Sequence, residues 1–270
     1  MTVGPERWTT PSTTADAAAA RRPAVNRIPW WAVVSAGAAP LLLGGGWTLA
    51  AARQPAGYDP IRDTISALAA QGATDRWLMT SALFGVGVCH VITAAGLRPA
   101  RRLGRVVLAG GGAATLLVAA FPQSVQGTST PHAMAAGLAF TALGAWPAFA
   151  GRRGHWAPLL TRGASAAAAV LLLGLVTWFA FGVDDDHRGL GERIAAGAQA
   201  LWPLAVVLTS RRAVTVGRAG AGWRVPVAAI SPAVAPERAA ARSPSTPAGP
   251  RRGAAPAARE PGDRRPRGAG

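Results

Sequence analysis

Tyr58-Asp59-Pro60-Ile61-Arg62-Asp63-Thr64-Ile65-Ser66-Ala67-Leu68-Ala69-Ala70 is the longest polar interruption between the first two apolar runs of the chain. Asp59 has the side chain of a helix N-cap, Pro60 then falls at the first helical position, and Gly72 is a natural stop. Ile61, Ile65, Leu68 and Ala69 recur at the spacing of one helical face, while Arg62, Asp63 and Ser66 point elsewhere. The stretch reads as a short amphipathic helix lying on a membrane surface with its apolar side down.

A membrane reading rests on what surrounds this stretch. Half of the 270 residues are hydrophobic, yet the net charge is +16. Apolar runs of about 20 residues in such a chain are membrane spans. Six can be placed: Ile28–Ala52, Trp77–Leu97, Leu103–Phe121, Pro131–Ala150, Pro158–Val183 and Leu190–Ser210. Thr130 is the expected N-cap of the fourth, with Pro131 at N1. The sixth is interrupted by Glu192, Arg193, Gln199 and Pro203. Open backbone groups are not tolerated in hydrocarbon, so the spans are helices and the fold class is all-α, a polytopic bundle. Residues 1–28 and 211–270 lack apolar periodicity and are expected as disordered tails flanking a membrane domain over 29–210.

Charge sets the expected orientation. Arg98, Arg101, Arg102 and Arg105 follow span two, Arg152, Arg153 and Arg162 follow span four, and Arg211 and Arg212 follow span six. Asp59, Asp63, Asp75, Asp184, Asp185, Asp186 and Glu192 fall on the other side. The positive-inside rule then places both termini in the cytoplasm of a bacterial cell. Every basic residue is Arg, and the single Cys89 excludes an internal disulfide. The Arg-rich C-terminal tail has no interleaved aromatics and no nucleic-acid motif. Its expected partner is the anionic lipid of the inner leaflet, with no nucleic acid.

The same topology gathers polar residues at one outer mouth. Asp59, Arg62, Asp63 and Ser66 come from loop one, His132 follows loop three, and Glu192 and Arg193 open span six. These seven are the candidate ligand-binding residues. Arg193 has Glu192 or an outer aspartate such as Asp63 as its expected partner. Asp184, Asp186 and His187 in loop five, with His132, are a candidate set for a divalent cation such as zinc. The spacing fits no calcium loop. His132 would sit in the first turn of its helix, a place for an imidazole acting as ligand or base. His90 lies about 20 Å below Trp77 at 1.5 Å per residue, too deep to join the outer cluster directly. There is no phosphate-binding glycine loop, nucleophile elbow or paired-Cys metal motif.

Three short segments carry a family resemblance. Tyr58-Asp59-Pro60 through Asp63-Thr64-Ile65-Ser66-Ala67-Leu68-Ala69 resembles the first-loop signature of a bacterial membrane family catalogued as domain of unknown function 998. Gly189-Leu190-Gly191-Glu192-Arg193-Ile194 and His132 after Phe121-Pro122 resemble its other motifs. The resemblance spans about residues 30–210. It implies a six-helix integral membrane protein without an assigned activity, and it adds weight to Asp63, Ser66, His132, Glu192 and Arg193. A fainter resemblance, to seven-helix ceramidase-like hydrolases, would cast Ser66, His132 and His187 around zinc. The His-x-x-x-His pair associated with those enzymes is absent from this sequence.

Three functions follow as expectations. The first is binding of a lipid headgroup or small solute at the outer polar cluster. The second is metal-dependent hydrolysis of a lipid amide or ester, with His132, His187 and an aspartate of 184–186 as ligands and Glu192 or Asp63 as base. The third is a structural membrane protein whose polar mouth is an ion-pair lock without a ligand.

Overall fold

The computed structural model describes residues 28–124, 127, 129–153 and 156–221, with side chains as far as residue 213. The expected N-terminal tail and most of the C-terminal one lie outside these residues. Six long helices run through the described chain: α1 (Trp30–Ala51), α2 (Trp77–Gly96), α3 (Arg102–Ala120), α4 (Thr130–Ala150), α5 (Arg162–Thr177) and α6 (Arg188–Ala221). No named strand occurs among the described residues, only isolated bridges at Ser124–Gly127 and Arg152–Thr161.

Five of these, α1 to α5 (the last with its continuation to Gly182), are long and apolar enough to cross a membrane. Their large exposed side chains are apolar too, including Leu41, Val106, Val170 and Phe181. A helix that is apolar outside as well as inside is built for lipid. Glu192, Arg193, Gln199 and Pro203 dilute α6, which falls outside that set of five. It also runs past the expected end at Ser210, through Arg211 and Arg212 to Ala221. The first turns of the segment expected as tail are therefore helical.

Consecutive helices pack on one another, and α6 closes the circle by lying against α1. Small residues allow a close backbone crossing between α2 and α3. A Cβ on Gly87 of α2 would come within 2.7 Å of the Gly112 carbonyl on α3, and one on Gly112 within 2.7 Å of the Gly87 carbonyl. Only glycine lets these backbones approach so closely. Between α1 and α2, Ser35 Oγ and Thr93 Oγ1 share a 2.8 Å hydrogen bond inside the bundle. At the Arg-rich end, Arg105 donates to the Ala94 and Ala95 carbonyls and closes the last turn of α2.

Four local expectations are corrected. Loop one holds no helix from Asp59 to Gly72; its regular part is a 3₁₀ turn at Ser66–Ala69. Asp59 still caps, but as a turn, because its carboxylate accepts from Ile61 N at 2.8 Å and the pattern is not propagated. Ile65, Leu68 and Ala69 are buried while Ile61 is exposed, so the apolar stripe packs into the bundle mouth rather than onto lipid. The fourth span begins at Thr130, making Ser129 its N-cap. The fifth breaks into a 3₁₀ turn at Pro158–Leu160, α5, and a π-turn at Trp178–Gly182.

Candidate functional site

Loop one and the start of α6 are bonded together in both directions. The backbone N–H groups of Gly189 and Leu190, among the first of the helix, donate to the Arg62 and Ile61 carbonyls at 3.0 and 2.8 Å. A helix N-terminus leaves such donors without intrahelical partners, and here loop one satisfies them. In return the Glu192 carboxylate accepts from the backbone N–H of Ile65, from Ser66 N at 3.3 Å and from Ser66 Oγ at 2.8 Å. Arg193 donates to the Asp63 carbonyl at 2.8 Å, the Gly189 carbonyl at 3.0 Å and the Tyr58 hydroxyl at 2.6 Å. Its guanidinium also lies 6.0 Å from the Trp47 ring. Gly189 is part of the fit, because a Cβ there would overlap the Asp63 carbonyl.

The expected partners of Arg193 are corrected by this geometry. Arg193 meets the main chain of Asp63, not its carboxylate. That carboxylate turns back into loop one, accepting from Asp59 N at 2.8 Å and pairing with Arg62 at 3.3 Å. Partial burial pushes the Asp63 carboxyl up. The Asp59 N–H and the Arg62 guanidinium outweigh that and hold it below its ordinary value. Arg62 reaches further, to the Gly57 carbonyl at 2.9 Å. Burial raises the Tyr58 hydroxyl above its ordinary value, against the lowering effect of Arg193.

Loop three joins the same end of the molecule. Gln71 N donates to the Gln123 carbonyl at 2.9 Å, and His132 Nδ1 lies 2.8 Å from the Phe121 carbonyl. The result is an outer pocket of about 470 Å³, whose walls include Thr64, Ser66, His132, Phe179, Arg188 and Glu192. Ser66, Ala136, Phe140 and Glu192 also line a second, interior cavity. That cavity, of about 60 Å³, has room for water. Its walls are mostly apolar, with Thr115, Gln199 and His90 as polar exceptions. Gln199 Nε2 donates to the Phe140 carbonyl at 2.8 Å. His90 is 1 % exposed and its Nδ1 has no hydrogen-bond partner among the described residues.

Three of the seven candidate ligand-binding residues, Ser66, His132 and Glu192, thus share one pocket, while Asp59, Arg62, Asp63 and Arg193 hold loop one in place. His90 shares with the outer cluster only the lining of the interior cavity, where Ser66 and Glu192 also stand. The candidate metal residues are not assembled. His187 pairs with Asp184 at 2.7 Å on the exposed surface, which raises the His187 pKa and lowers that of Asp184. Asp185 pairs with Arg188 at 3.2 Å. His132 lies apart, against the Phe121 carbonyl, and no group of three or more His, Cys, Asp or Glu among the described residues is placed to hold a metal ion. Tyr58 and Gly189 were quoted only as parts of motifs. Tyr58 carried a signal of its own, as the single tyrosine of the chain.

A family model described as "Protein of unknown function (DUF998)" matches residues 36–209, from within α1 into α6. No curated protein and no solved structure matches.

Proposed function

The chain belongs to the DUF998 family, and from that premise we propose that it is an integral protein of a bacterial cell membrane that binds a lipid headgroup or small solute in the outer pocket. Six spans and two cytoplasmic termini are part of this reading. It is supported by the placement of loop one, loop three and the start of α6 at one end and the arginines of 101, 102, 152, 153 and 162 at the other. The observation that carries the binding reading is the pocket itself: Ser66, His132 and Glu192, from three distant segments, face one hollow that shares a wall with a cavity inside the bundle. A polar vestibule over a largely apolar chamber suits a ligand with a polar head and a small apolar part.

The test needs a variant that fills the pocket without touching the loop-one bonds. Ala136→Leu does this, because Ala136 lines both hollows. Wild-type protein purified in mild detergent is expected to carry a lipid or solute identifiable by mass spectrometry. Ala136→Leu and His132→Ala are expected to lose it. A wild-type protein that carries nothing, and that no lipid headgroup stabilises against heat, would remove the binding reading.

One observation favours the structural reading as the alternative: Glu192 and Arg193 direct their hydrogen bonds to loop one. They act there as a latch rather than as reactive groups. The latch and the pocket are compatible, since the latch holds the pocket's roof. An empty pocket with an intact latch is the outcome that separates the two.

A further inference from the structure

At the end of the bundle opposite loop one, Arg101, Arg102, Arg152, Arg153 and Arg162 surround a hollow of about 540 Å³. They come from three segments: the start of α3, the chain leaving α4, and the first residue of α5. The segments are fixed to one another by main-chain bonds, Arg101 N to the Ala150 carbonyl at 3.1 Å and Arg152 N to the Leu160 carbonyl at 2.8 Å. No acid lines the hollow, and none of the five makes an ion pair among the described residues.

This arrangement asks for an anion. Five guanidiniums repel one another, and two of them stand at the N-terminus of α3, where the helix dipole already disfavours a cation. No side chain caps that terminus. A topology signal needs only positive charge on one side of a membrane. It does not need arginines from three segments turned towards one space. Guanidinium forks match phosphate oxygens two at a time, and the exposed N–H groups of a helix start add further donors. Five positive charges with no counter-charge among the described residues exceed what one carboxylate supplies and suit a phosphomonoester or paired phosphates. We propose that this hollow is a phosphate-binding site, filled by the headgroup of an anionic phospholipid or by free phosphate. The site is independent of the outer pocket, and its test does not depend on that reading.

The full chain in detergent would be titrated with phosphatidic acid, phosphatidylcholine and inorganic phosphate, and occupancy read by native mass spectrometry and thermal stabilisation. Three variants accompany it: Arg152→Gln with Arg162→Gln, Arg152→Lys with Arg162→Lys, and Arg53→Gln with Arg76→Gln at the other end as a control for net charge. Phosphatidic acid is expected to bind at least about tenfold tighter than phosphatidylcholine, with at least about tenfold lost in the Gln pair. The Lys pair is expected to lose several-fold, because charge remains but the fork does not, and the control pair is expected to bind as wild type. Inorganic phosphate that displaces phosphatidic acid and stabilises equally would assign the site to free anion. Failure to displace it would assign the site to lipid. Equal binding of the two lipids, or equal losses in the Gln pair and the control pair, would overturn the proposal. Amide hydrogen exchange at Ile65 and Ser66, at the far end, confirms that each variant is folded.

Discussion

Glu192→Ala should release loop one from α6. Glu192 is 5 % exposed and accepts from two backbone N–H groups and one hydroxyl. Removing the carboxylate strands those donors in a buried setting, where an unsatisfied group costs about 1–3 kcal/mol. The Ser66 N contact is long at 3.3 Å and counts for little. The Ile65 N–H and the Ser66 hydroxyl remain, and with the shortened side chain the expected loss is about 3–5 kcal/mol. The outer pocket lies alongside, so water can enter and pull the value towards the low end of that range. At 1.4 kcal/mol per tenfold, the local opening constant should rise at least about a hundredfold. Hydrogen exchange at the Ile65 and Ser66 amides reads that constant directly, while amides inside α2 and α3 should keep their protection. Ser66→Ala, which removes only the hydroxyl bond, should cost about 1 kcal/mol. Its effect should not add to that of Glu192→Ala, because the two share one interaction. Wild-type exchange at residues 65 and 66 in Glu192→Ala would refute the latch.

Arg193→Lys should cost about 1–3 kcal/mol in detergent melts, because one ammonium cannot reproduce the fork to Tyr58, Asp63 and Gly189. The double change Asp63→Arg with Arg193→Asp should not recover that loss, since Arg193 bonds a carbonyl rather than the Asp63 carboxylate; recovery would restore the ion-pair lock. Gly189→Ala should displace loop one or prevent folding, whereas Gly163→Ala, with open space around it, should melt like wild type. Asp63 is held below its ordinary value of 3.8 in the folded chain, so its contribution is complete above that pH and is lost as pH falls through the lower folded value. Melts taken from pH 5 downwards should therefore show a smaller acid loss in Asp63→Asn than in wild type.

Helices α1 to α5 were legible because each carries its own evidence, an apolar run near bilayer length and a polar break at each end, whereas the run of α6 is interrupted by Glu192, Arg193, Gln199 and Pro203. Those are local properties, and the boundaries of α1 to α4 agree closely, whereas α6 runs on past the expected end at Ser210 to Ala221. Loop one was misread for the complementary reason. Its apolar spacing fits a helix as well as it fits a turn whose Ile65 and Leu68 plug a bundle mouth, and the choice between them is made by α6. The α6 start takes the Ile61 and Arg62 carbonyls and gives Glu192 to the Ile65 and Ser66 amides, bonds that a continued loop-one helix would have used internally.

The candidate residues divide along the same line. That Asp63, Ser66, His132, Glu192 and Arg193 gather at one end follows from span count and charge alone. Which of them face a hollow, and which bind the main chain of a neighbour, depends on distances between segments more than 120 residues apart. His90 shows the same division: counting residues along a helix gave its depth, and only the packing of the helices set it in the wall of a cavity that Ser66 and Glu192 also line. Hydropathy along the chain is enough to establish an all-helical protein with several membrane-competent spans, because lipid imposes a helix on every span separately. The latch over one end and the arginines gathered around an open hollow at the other became visible only in three dimensions, because hydrogen-bond partners and facing charges are set by packing between helices, which one-dimensional spacing does not encode.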